Sequence, residues 1–145
     1  MKVGLMDEVM IAKGIIEKFS KELTNSLDLD VAIAGAGPAG LTAARYLAGA
    51  GFEVAVFERN LHVGGGMWGG GIMFPFIVVQ EAARGLLEEV GVNLEPCAEG
   101  YYVASSVEAV SKCASAAIDA GARIWVGMSV EDVVIRRDNG SYRIC

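Results

Sequence analysis

Asp30-Val-Ala-Ile-Ala-Gly35-Ala-Gly37-Pro-Ala-Gly40, followed by Glu53-Val-Ala-Val-Phe-Glu58, is the part of this chain on which its fold turns. The first piece is a short apolar run closed by glycine, which reads as a buried strand. Pro38 to Ala50 is rich in alanine and leucine and reads as a helix stopped by Gly51. Glu53 to Glu58 reads as a second strand. Strand, glycine turn, helix and strand in so short a span make a βαβ unit, whose strands run parallel through a right-handed crossover.

The turn fits GxGxxG, a weak signal alone but a strong one between a strand and a helix. Gly35 permits the sharp turn, Gly37 lets a pyrophosphate approach the backbone, and Gly40 lets the helix pack on the strand. Pro38 suits the first helical position, where an N–H has no partner. Free amides and the helix dipole then offer a site for phosphates. Glu58 lies twenty-three residues after Gly35, near the ~20 at which an acid meets the ribose hydroxyls. Its carboxylate would repel a 2′-phosphate, which favours NAD or FAD over NADP. Arg59 beside it can be read the other way, as a 2′-phosphate ligand, but Glu58 holds the usual strand-end place. The bland alternative is a tight βαβ turn with a solvated acid. The fold expected is α/β, a Rossmann-like dinucleotide-binding domain of the three-layer, glutathione-reductase-like kind, over 30–145. A helical segment, 1–29, precedes it.

Helical spacing of Met10, Ile11, Ile15, Phe19 and Leu23 predicts a helix from Asp7, its N-cap, to about Leu23. Asn60 to Pro75 is too rich in glycine for regular structure. Gln80 to Val90 is an amphipathic helix, Tyr101 to Ala104 a short strand, and Ser106 to Ala120 a helix begun by Ser106. A strand starts at Arg123. Val130 to Arg136 alternates apolar and polar residues as a strand does, and Asp138-Asn-Gly140 turns it into a return strand, Ser141 to Cys145. The chain ends within that strand, so the domain is expected to be truncated.

Composition bounds the rest. A length of 145 residues, 53% hydrophobic, suits one globular domain. A net charge of −6 argues against nucleic acid or an anionic membrane as partner. The most apolar window, 70–79, is far shorter than the ~20 residues of a membrane span. Acidic residues near the N-terminus fit neither a signal nor a transit peptide, and the chain reads as cytoplasmic. Cys97, Cys113 and Cys145 form no CxxC or Cys/His pair and read as plain thiols. His62 has no acidic partner nearby in sequence and reads as a solvated or packed loop residue.

Eleven of the nineteen glycines lie between Gly35 and Gly71. The run Gly64-Gly-Gly-Met-Trp-Gly-Gly-Gly71 carries Met67 and Trp68 between two glycine triplets and leads into Ile72-Met-Phe-Pro-Phe76. A flexible connector seldom holds such residues. A loop folded over a flat ligand, shielded by aromatic side chains, accounts for both features.

DVAIAGAGPAGLTAARYLAGAGFEVAVFER at 30–59 and GGGMWGGGIMFPFIVVQEAARGLLEEVGV at 64–92 resemble the thiamine thiazole synthase family. So do YYV at 101–103 and AAIDAGARIWVGMSVEDVVIR at 116–136. The likeness runs from about Met6 onward, and the loop is closer in form to prokaryotic, especially archaeal, members of the sulfide-dependent type. The resemblance implies that NAD is a substrate: it loses nicotinamide, and a thiazole is built on the ADP-ribose from glycine and a sulfur source. The product is an ADP-linked thiazole carboxylate, a thiamine precursor. Carried over by position, Ala39, Glu58, Arg59, Gly66 and Val130 contact NAD. One branch of the family takes sulfur from its own cysteine; the other uses free sulfide with iron(II) held by Asp and His. Those residues, and the arginine that holds glycine, fall after residue 145, and no cysteine here matches the donor position. Catalytic residues and metal ligands in this chain are therefore none or unknown. The resemblance also implies a homo-oligomer, an octamer at full length, with this chain as the N-terminal half. The competing readings are an FAD-dependent oxidoreductase, which the turn suits equally, and a truncated chain that only binds nucleotide or a partner.

Overall fold

The structure, a computed structural model, describes residues 7–144. Three parallel strands, β1 (Val31–Ala34), β2 (Val54–Glu58) and β6 (Arg123–Val126), form one sheet in the order β1-β2-β6. Val31 pairs with Val54 and Val56 with Ile124, so alternate apolar side chains line up on one face. Helix α2 (Pro38–Gly49) joins β1 to β2 and lays Leu41, Ala44 and Ala48 on that face. Helix α4 (Ser106–Asp119) lies against α2, contributing Ala109, Val110, Cys113 and Ala117 to the same core. The contact is made largely of alanines. Two helices with small facing residues can approach closely, so a shallow set of side chains still closes the core.

Between β2 and β6 the chain builds a second, antiparallel sheet in the order β3-β5-β4: β3 (Phe76–Gln80), β5 (Tyr101–Ser105) and β4 (Glu95–Ala98). Helix α3 (Glu81–Glu88) follows β3 directly and buries Leu87. Ile77 of β3 and Ala104 of β5 join the core, while Phe76 and Val78, on the other face of β3, are exposed. A hairpin of β7 (Ile135–Asp138) and β8 (Ser141–Ile144) turns at Asn139-Gly140. It borders a cavity of about 1200 Å³ whose opposite wall includes Asp30, Ala32 and Ala34, on and before β1.

Helix α1 (Glu8–Thr24) is capped as expected, Asp7 accepting the Val9 N–H at 2.9 Å. None of its residues is buried. Phe19 meets the Trp125 ring edge-on, with centroids 5.6 Å apart, and Arg123 donates to the Asn25 carbonyl at 3.3 Å. No helix among the described residues is long and apolar enough to cross a membrane.

Several expectations need correcting. Asn60 to Pro75 is not wholly irregular, because Gly65–Gly69 forms a 3-10 turn. Strands β3 and β4 arise where none was expected. Helix α4 does begin at Ser106, as expected, with Ser105 as its cap accepting the Glu108 N–H at 3.4 Å. The strand expected over Val130 to Arg136 begins only at Ile135. Alternation alone makes no strand: 130–134 has no ladder partner among the described residues, and β7 pairs only with β8. Cys145 lies outside the described residues.

Candidate dinucleotide site

Strand β1 stops at Ala34 because Gly35 turns the backbone to φ +95, a conformation open to glycine. The Gly35 N–H still reaches across to the Phe57 carbonyl at 2.8 Å, so the turn stays tied to the end of β2. Gly37 is the N-cap of α2 and Pro38 its first residue. The Leu41 N–H closes the first helical bond on the Gly37 carbonyl at 2.9 Å. The amides of Ala39 and Gly40 therefore have no partner within the helix and face the positive end of its dipole. A Cβ on Gly40 would stand 2.0 Å from the Gly35 carbonyl oxygen, whereas one on Gly37 would meet nothing within 4 Å. One glycine answers to packing and the other to open space.

The second glycine run folds onto this turn. The Gly64 N–H donates to the Ala36 carbonyl at 2.7 Å, and the Trp68 indole N–H to the Val63 carbonyl at 2.7 Å. A Cβ on Gly64 would collide with Val110 and with Trp68 Nε1, both within 3 Å. So this glycine is demanded by the chain's own packing and not by a ligand. Gly66 is different, with open space at its Cβ position. Met67 is buried, but Ile72, Met73 and Phe74 project outward, more than 60% exposed. Trp68 is thus a brace for the loop.

Two cavities flank the turn. One, about 430 Å³, is lined by Gly35, Glu58, Arg59, Gly65, Val130 and Glu131, with Asn60 and Ser129 beside them. It lies within the usual size range for a small-molecule site. The other, about 770 Å³ and largely apolar, runs between α2, the glycine loop, β3 and α3; Ala39 and Gly66 are on its wall. The structure therefore brings Gly35, Glu58, Arg59 and Val130 together and places Ala39 and Gly66 round the corner. Gly37 and Gly40 line neither cavity. Glu131 and Asn60 escaped sequence reasoning. An amide two residues after a strand-end acid was the available signal for Asn60; Glu131 had none.

Glu58 is 5% exposed, and both of its carboxylate oxygens have partners. Its Oε2 accepts the Ala36 N–H at 2.9 Å; its Oε1 accepts the backbone N–H and the side-chain amide of Asn60 at 2.9 and 2.8 Å. These bonds, with Asn60's backbone N–H foremost and Ala36's next, hold the carboxyl below its ordinary pKa against the opposing cost of burial. The group is an ionised acceptor in a half-enclosed cavity. Elsewhere, burial pushes the Cys113 thiol up, which leaves it an inert core residue. Cys97 is exposed. Among the described residues no three of His, Cys, Asp or Glu are grouped to hold a metal.

A sequence profile described as the Thi4 family matches residues 12–145. The chain is 53% identical over 131 residues to the thiamine thiazole synthase of Methanothermobacter thermautotrophicus, covering 90% of this chain and 51% of that one. It is 45% identical over 137 residues to the enzyme of the same name from Pyrococcus furiosus, covering 94% and 54%. The crystal structure of Thermovibrio ammonificans THI4 superposes with a TM-score of 0.89 at 49% identity, over 97% of this chain and 55% of that one. A geranylgeranyl bacteriochlorophyll reductase-like protein from Thermoplasma acidophilum matches at TM-score 0.54 and 22% identity, which speaks for the Rossmann-like fold alone. The chain spans about half the length of the curated relatives it matches.

Proposed function

The chain belongs to the Thi4 family, and on that premise we propose that it supplies the NAD-binding part of a thiamine thiazole synthase. The observation that carries this reading is the 430 Å³ cavity, where an ionised, nearly buried Glu58 faces Val130 beside an open glycine turn. The adenosine ribose donates a hydroxyl proton to Glu58, the adenine lies against Val130, and Arg59 borders the entrance. The pyrophosphate crosses Gly37 to the amides of Ala39 and Gly40, where a Cβ is absent and the helix dipole favours negative charge. The ADP-ribose end beyond the pyrophosphate then passes Gly66 and the apolar cleft.

Work on the nicotinamide-bearing ribose, with glycine and sulfide as further substrates, is part of the same proposal. Iron(II), which the sulfide-dependent branch uses, does not fit here, because the described residues offer no ligand cluster. A homo-oligomer belongs to the proposal as well, and the exposed Ile72, Met73, Phe74 and Phe76 give it an apolar surface.

Calorimetric titration of the purified chain with NAD, ADP-ribose and FAD tests the reading. NAD and ADP-ribose should bind saturably and compete with each other. Tight, stoichiometric uptake of FAD with no affinity for ADP-ribose would replace it with the flavoprotein alternative.

A further inference from the structure

A carboxylate offers about four acceptor positions, and in Glu58 three are taken by the chain itself. Ala36 N–H holds Oε2, while the Asn60 backbone N–H and side-chain amide both hold Oε1. An ionised carboxylate can only accept, so the nitrogen of the Asn60 amide is the end that faces it. The backbone of the same two residues also anchors the far wall of the cavity. The Gly127 N–H donates to the Asn60 carbonyl at 3.0 Å, and the Met128 N–H to the Glu58 carbonyl at 2.9 Å. From Met128 the chain runs straight into Ser129, Val130 and Glu131.

We propose that Asn60 is a positioning residue for Glu58: its side-chain amide fills the second acceptor position of Oε1, locks the carboxylate, and leaves one open acceptor position, on Oε2, for a ligand hydroxyl. A ribose diol then meets a single fixed acceptor in place of a turning carboxylate, which fixes the roll of the nucleotide in the cavity. The inference rests on the nucleotide reading of this cavity, but the state of Glu58 can be measured without any ligand. The other charged groups lining the cavity are Arg59, next along the chain, and Glu131, from the segment after β6. The turn from Gly35 to Gly40 carries no ionisable side chain. Arg59 favours the ionised form only weakly beside the three hydrogen bonds, of which Asn60 provides two.

The test is a carbon-13 titration of the Glu58 carboxyl, assigned with Glu58→Gln, in the parent chain, Asn60→Leu and Asn60→Asp. Asn60→Leu keeps the bulk and the backbone N–H but removes the amide donor; Asn60→Asp sets a second carboxylate in its place. Asn60 is exposed, so both variants should keep the fold. The Glu58 midpoint should rise in Asn60→Leu, which loses a donor to the ionised form, and further in Asn60→Asp, where two carboxylates compete for one proton. ADP-ribose affinity should be level between pH 8 and 5 in the parent and should fall with acid in both variants. Unchanged Glu58 midpoints in both variants would overturn the proposal, whichever nucleotide binds. A shifted midpoint with no ADP-ribose binding to the parent would uphold the role of Asn60 and sink the nucleotide reading instead.

Discussion

Gly40→Ala and Gly37→Ala, three residues apart in one turn, should fail in opposite ways. At Gly40 the new methyl carbon would stand 2.0 Å from the Gly35 oxygen and 3.2 Å from its carbonyl carbon. Real carbon–oxygen contacts are more than an ångström longer, and the obstacle is backbone. Either α2 must lift off β1 or the Gly35 turn must open. Overpacking of this kind costs about 1–3 kcal/mol, and the rigid neighbour puts this case at the upper end. At two to four degrees per kcal/mol, the melting temperature should drop by roughly 5–12 °C. At Gly37 the space is open and φ is −75, which alanine adopts freely. Alanine is a poorer N-cap than glycine, but it also lowers the entropy of the unfolded chain, so stability should stay within about 1 kcal/mol. Its methyl group would nonetheless occupy the path proposed for the pyrophosphate, and ADP-ribose binding should be lost. Thermal unfolding and calorimetric titration of the two variants side by side form the assay. A Gly40→Ala protein as stable as the parent would refute the packing argument. A Gly37→Ala protein that binds ADP-ribose normally would refute the phosphate path.

Glu58→Ala should weaken NAD by about 1.5–3 kcal/mol, roughly 10- to 150-fold, and lessen discrimination against NADP; titration with both nucleotides checks this. Because the folded-state pKa of Glu58 is lowered, its contribution to stability is complete above the ordinary glutamate range and drains away as pH falls below it. Urea unfolding from pH 6 to 3 should therefore fall less steeply for Glu58→Gln than for the parent. The purified chain should release no flavin on denaturation, as read by absorbance. Incubation of these 145 residues alone with NAD, glycine, sulfide and iron(II) without oxygen should yield no adenylated thiazole by mass spectrometry, since they span only about half the length of the relatives they match.

The βαβ unit was legible because every local signal agreed: an apolar strand, a glycine turn, Pro38 at the helix start and an acid closing the next strand. Asp7 and the helix after it were legible for the same reason, although the apolar spacing did not reveal that Met10, Ile15 and Ile16 stay exposed. What escaped depends on partners distant in sequence. Phe76 to Gln80 becomes a strand only because Tyr101 to Ser105 lies beside it, and the Gly-rich flank and Pro75 hid the run. Val130 to Val134 shows the reverse, a strand-like pattern with no partner. In the site, Gly35 and Glu58 could be read from spacing. Gly64 could not be told from Gly66, because only the fold sets Val110 and Trp68 against the one and nothing against the other.

The parallel pairing of β2 with β6 joins Glu58 to Val126, positions about seventy residues apart, and closing so long a segment is entropically slow. The small antiparallel sheet and α3 lie inside that segment and are held by much shorter-range contacts. These local units should gather first, and β6 should dock against β2 in a late step. Since Ser129, Val130 and Glu131 follow soon after β6, their wall of the cavity is among the last parts to assemble. A nucleotide bound there would bear chiefly on the undocking of β6, slowing unfolding while leaving the folding rate nearly untouched.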